Sequence, residues 1–179
     1  MLIKTLIGLA VHVGLLVVLV AVQPSEFNIT RTATVAAPPS AVFTQVNDFH
    51  KWEAWSPWAK LDPAARNTFE GAPAGTGAVF GWAGNSKVGE GRMTIVESRP
   101  NELVRIKLEF LKPFAATNTA EFKFKPEGDR TEVTWSMFGR NNFVGKAVCL
   151  VMNMDKTLGG EFDKGLAAMK SVAEAAARR

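Results

Sequence analysis

The last long run of the chain, residues 143–176, constrains the fold most. Ala147, Leu150, Val151, Met154, Leu158, Phe162, Leu166, Met169 and Ala173 recur there in steps of three and four. That spacing puts them on one face of a helix. Lys146, Lys156, Lys164, Lys170 and Glu174 fall mostly elsewhere. An apolar stripe of this length needs a large apolar surface to lie against. Gly159, Gly160 and Gly165 interrupt it. Each costs about 1 kcal/mol against alanine inside a helix. They mark either close packing of helix on sheet or a kink that leaves room for a ligand.

The preceding stretches supply the surface. In residues 27–35, Phe27, Ile29, Ala33 and Val35 share one face, and Asn28, Thr30, Thr32 and Thr34 the other. This is a half-buried strand. Arg31 falls on the apolar face. It reads either as a sheet-end arginine whose stem packs while its head reaches water, or as a cation facing an acidic ligand group. Residues 103–110 alternate most cleanly, with Val104, Ile106, Leu108 and Phe110 inward. Phe122 and Phe124 alternate with Glu121 and Lys123, and Val133, Trp135 and Met137 point inward from the next strand. Shorter strands are expected at residues 68–70, 78–82 and 92–98. Short connections make neighbours antiparallel. About seven strands with helices on one face make an α+β fold, a single sheet curled over the last helix.

After the first strand, Ser40 is expected to cap a short helix carrying Val42, Phe43 and Val46. Residues 49–58 then hold Trp52, Trp55 and Trp58. Trp52 and Trp55 would share a face of a helical turn, and Pro57 would end it. The segment is a hydrophobic plug, an aromatic wall of a ligand pocket, or both.

Residues 6–22 are almost uninterrupted apolar sequence, and Leu2 and Ile3 extend them toward the roughly 20 residues that cross a bilayer. Residues 1–23 are expected to be a transmembrane anchor or signal-like segment, and residues 24–179 the folded domain. Lys4 favours an inner N-terminus and a domain on the outer, periplasmic face of a cell membrane. Cleavage would release a secreted form. With 47% hydrophobic and 21% charged residues, the chain expects a packed core. The net charge of +4 comes without a dense basic run, so no nucleic-acid partner is expected. The single cysteine, Cys149, can form no intrachain disulfide and is expected to be a buried thiol.

Chemistry is sparse. The histidines, His12 and His50, show no metal-ligand spacing, so no metal and no cofactor are expected. Gly71, Gly75 and Gly77 read as turns rather than a dinucleotide fingerprint. Glu90, Glu161 and Asp163 are the acid–base candidates, if an apolar setting raises their pKa. Solvated surface charges are the plainer reading.

Residues 36–43 (AAPPSAVF), Asn47-Asp48-Phe49, the W-x-x-W-x-P of residues 52–57, Gly89-Glu90-Gly91, residues 130–135 and residues 162–166 together resemble the START-related helix-grip superfamily (SRPBCC). Its members include pollen allergens, lipid-transfer START domains and polyketide cyclase/dehydrase-like proteins. The resemblance covers roughly residues 27–172. It implies a helix-grip fold and a hydrophobic small molecule or lipid between helix and sheet. It carries over no catalytic residue. The expected lining is Arg31, Trp52, Trp55, Trp82, Phe110, Phe122, Trp135, Leu158 and Phe162. The leading expectation is a membrane-tethered, non-enzymatic binding module. The others are a cyclase- or dehydratase-type enzyme and an envelope interaction domain whose tryptophans fill its own interior.

Overall fold

The computed structural model describes residues 2–178, with side chains from Leu6 onward. In chain order the elements are α1 (Leu2–Ala21), β1 (Glu26–Val35), α2 (Pro39–Asn47), two 3₁₀ turns (Phe49–Ala54 and Pro57–Lys60), β2 (Arg66–Gly71), β3 (Ala78–Ala83), β4 (Glu90–Arg99), β5 (Leu103–Lys112), β6 (Ala116–Glu127), β7 (Arg130–Arg140), α3 (Phe143–Val151) and α4 (Met154–Ala177). The seven strands form one sheet in the order β1-β7-β6-β5-β4-β3-β2. Every neighbouring pair is antiparallel.

Register assembles the concave face from the alternating residues. Ile95, Ile106, Ala120, Met137 and Ile29 form one row across five strands. Val104, Phe122, Trp135 and Arg31 form the next. Against these rows α4 buries Phe162, Leu166, Met169 and Ala173. Val42, Phe43 and Val46 of α2 complete the core. The expected seven-stranded α+β grip is therefore the observed architecture.

Four local expectations need correction. Among the described residues, no helix is long and apolar enough to cross a membrane. The side chains of Leu2, Ile3 and Lys4, which extended and oriented the expected span, lie outside the described residues. Second, the last helix is two helices. Met152 adopts extended backbone, and the Asn153 side chain accepts from the Lys156 N–H, capping a new start. The apolar residues of α3 consequently miss the sheet. Third, Cys149 is exposed, because it belongs to that displaced helix. Fourth, α2 begins at Pro39 without a side-chain cap from Ser40. The proline's fixed φ suits a first helical position.

Candidate ligand site between the long helix and the sheet

The aromatic segment after α2 is positioned by the end of that helix. The last carbonyls of a helix lack intrahelical partners. Trp52 Nε1 donates to Val46 O (2.9 Å), and Trp55 Nε1 donates to Gln45 O (3.0 Å). Both indoles are buried, and their rings meet at 4.7 Å. Spacing three apart thus lets two tryptophans cap one helix while turning their rings into the core.

Trp135 lies at the centre. Its ring stacks on Phe162 of α4 at 4.1 Å and 7°, and on Phe122 of β6 at 4.8 Å and 28°. Trp55 meets both Phe122 and Trp135 edge-on. Trp58, half-buried at the rim, turns its edge to Trp135 and Phe162. Trp135 is 2% exposed, yet its Nε1 has no hydrogen-bond partner. Among the described residues it is the buried side-chain polar atom left unpaired. A buried donor without an acceptor costs about 1–3 kcal/mol.

Arg31 stands beside Trp135 in register, but its head leaves the apolar face. The guanidinium donates to both carboxylate oxygens of Asp155 (3.0 and 3.1 Å), to Asp155 O (2.9 Å) and to Asp163 Oδ2 (3.3 Å). Hydrogen bonding to Asp155 holds Arg31 above its ordinary pKa, and the same bond holds the Asp155 carboxyl below its own. The arginine is a clamp between β1 and α4. It crosses the helix over Gly159, where a Cβ would overlap the guanidinium. At Gly165 a Cβ would come within 2.8 Å of the Trp135 ring, whereas Gly160 faces open space. Close packing therefore explains two of the three helix glycines.

The structure brings Trp52, Trp55, Phe122, Trp135 and Phe162 into one group, with Leu158 half-buried at its edge, while Arg31, beside Trp135 in register, turns its head out to Asp155 and Asp163. Trp82 and Phe110 meet each other at 6.0 Å on the far strands and reach the group only through Phe80 and Phe49. Trp82 lies flat on Gly91, where any Cβ would overlap the indole. Trp58 was missing from the expected lining. Its place in the same tryptophan segment was the available signal.

Side chains fill this space. Open clefts lie elsewhere. One of about 170 Å³ is lined by Phe49, His50, Phe69 and the turn after β2, and one of about 390 Å³ lies at the corner between α3 and α4. His50 belongs to the first, stacked on Phe69 at 4.1 Å and bonded to Asp48. The candidate carboxylates are all ion-paired: Glu90 with Lys112 (2.6 Å), Glu161 with Lys164 (2.8 Å) and Asp163 with Arg31 (3.3 Å). Among the described residues Glu121 is the buried carboxylate, and it sits on the convex face between Arg105 and Lys123. Burial alone would raise its pKa, but hydrogen bonds from Lys123 and Arg105 outweigh burial and hold it low. No group of three or more metal-ligating side chains occurs among the described residues.

The family described as polyketide cyclase / dehydrase and lipid transport matches residues 26–174. No curated protein matches the chain. Several solved structures share the fold. The di-domain ARO/CYC StfQ from the steffimycin biosynthetic pathway is 16% identical, with a TM-score of 0.64 over 87% of this chain and 53% of that one. A solution structure from Thermobifida fusca is 22% identical, with a TM-score of 0.62 over 82% of this chain and 92% of its own. The Aha1 dimer from Colwellia psychrerythraea is 12% identical, with a TM-score of 0.58 over 83% and 96%.

Proposed function

This chain belongs to the polyketide cyclase / dehydrase and lipid transport family, and on that premise we propose that it binds a hydrophobic small molecule or lipid between α4 and the sheet. The observation that carries this reading is the unpartnered Trp135 Nε1 in an aromatic interior. A ligand carbonyl or hydroxyl oxygen would accept that hydrogen bond. The surrounding rings would hold its apolar body. Entry requires the half-buried rim, Trp58 and Leu158, to move, because the space is filled at rest. The interior has an aromatic wall and, among the described residues, one unpaired polar side-chain atom, which suits binding better than acid–base chemistry. A cyclase or dehydratase reading needs a carboxylate inside, and among the described residues none faces inward.

Two probes of like shape test it on the full chain, read by tryptophan fluorescence: anthraquinone, with two carbonyls, and anthracene, with none. One hydrogen bond contributes about 0.5–1.5 kcal/mol, so Trp135→Phe should weaken anthraquinone up to about tenfold. Anthracene should bind the variant as it binds the native chain. If neither probe binds the native protein, the reading is wrong. The filled interior would then favour the alternative, an interaction domain that uses its tryptophans only for its own core.

A further inference from the structure

We propose that the end of the molecule formed by the β5–β6 turn, α3 and the C-terminal end of α1 docks on a lipid surface carrying anionic headgroups. The contact is interfacial and is independent of the ligand reading. Three segments distant in sequence meet there. Asn118 pairs with Gly139, which places the turn before β6 beside the start of α3. Lys146 of α3 donates to Ala21 O at the end of α1. Each segment exposes large apolar side chains to solvent: Leu111 at the end of β5 and Phe114 in the turn, and Val144, Leu150 and Val151 in α3, with Phe114 61% and Val151 81% exposed. In α1 the consecutive residues 15–19 are all exposed and all apolar.

That last fact selects the occupant. Successive helical residues lie about 100° apart, so these five spread apolar surface over most of the helix circumference, with Val20 beside them buried. A fluid lipid surface conforms to an uneven patch built from a turn and two helices, whereas a second protein copy would need a matching shape. Soluble surfaces rarely expose apolar area this continuously. Charge agrees. Lys112, Arg140 and Lys146 stand at this end; of the acids, Glu90 lies 2.6 Å from Lys112, Asp155 at the α3–α4 corner is paired with Arg31, and Glu26 sits opposite Arg140. Basic groups beside a membrane surface attract anionic lipid. The docked orientation would bring the α3–α4 corner, next to the rim residue Leu158, close to the lipid.

The test uses the full chain with Cys149→Ser, mixed with vesicles of phosphatidylcholine and phosphatidylglycerol. A fluorophore is attached in turn at Phe114→Cys, Val151→Cys and Asp129→Cys, the last in the β6–β7 turn at the opposite end. Brominated acyl chains should quench the probes at 114 and 151 and leave that at 129 bright. Omitting phosphatidylglycerol should weaken the quenching. Unquenched probes at 114 and 151 would overturn the proposal. So would probes already shielded from aqueous iodide without vesicles, since a second copy would then cover this face.

Discussion

The apolar stripe that begins in α3 and continues through α4 meets two different fates. From Phe162 onward it is core: Phe162, Leu166, Met169 and Ala173 lie against the sheet and α2. In α3, Leu150 and Val151 carry the same period and face solvent. The residue types barely differ. What differs is the surface opposite, and the extended Met152 followed by the Asn153 cap decides which side of the break meets it. Periodicity names a face; it does not name what covers that face.

The largest effect should come from the buried half. Phe162→Ala removes the ring stacked on Trp135 and should lower stability by about 3–5 kcal/mol in urea denaturation. Val151→Ala, on the same stripe in α3, should change it by less than about 0.5 kcal/mol. Similar losses at both positions would erase the contrast. Next, Gly165→Ala presses a methyl group against the rigid Trp135 ring and Pro57, and should cost about 1–3 kcal/mol. Gly160→Ala, five residues earlier and facing open space, should instead raise stability by about 0.5–1 kcal/mol. A loss at both would mean that the helix lies closer to its surroundings at Gly160 than the geometry indicates.

The smallest effect concerns the clamp between β1 and α4. The Asp155 carboxyl sits below its ordinary pKa because of Arg31. A depressed carboxylate contributes stability above the ordinary range near about pH 4, and loses it as pH falls through the folded value. Urea midpoints measured from about pH 6 down to about pH 2 should fall less steeply in Asp155→Asn than in the native chain. An unchanged acid limb would show that the clamp, exposed as it is, contributes nothing measurable.

Much of the fold was legible because strand alternation is local. The inward set Val104, Ile106, Leu108, and the buried helix residues of α2, follow from period alone. The aromatic cluster was legible in part. Trp52 and Trp55 stood out by spacing, but their reason for turning inward, the unpaired carbonyls ending α2, is tertiary. Arg31 could be seen to break the pattern; its partners Asp155 and Asp163 are more than a hundred positions away, so no local rule connects them. Trp82 and Phe110 belong to the same concave face by period, yet lie with the far strands. The membrane-crossing expectation rested on apolar length counted along the chain, and among the described residues no helix is both long and apolar enough to cross.

By itself, the sequence determined which face of each strand and helix is apolar, because a period of two or 3.6 shows in any short stretch. It also determined that few groups capable of catalysis exist to be placed there. Only the tertiary structure decided that α3 leaves the sheet, that Gly159 and Gly165 are contacts rather than pocket floor, and that Trp135 ends up with a buried N–H and nothing to receive it. Those outcomes depend on which distant surfaces meet, and side chains brought together from different strands and helices can be complementary or unpaired only once the chain has closed around them.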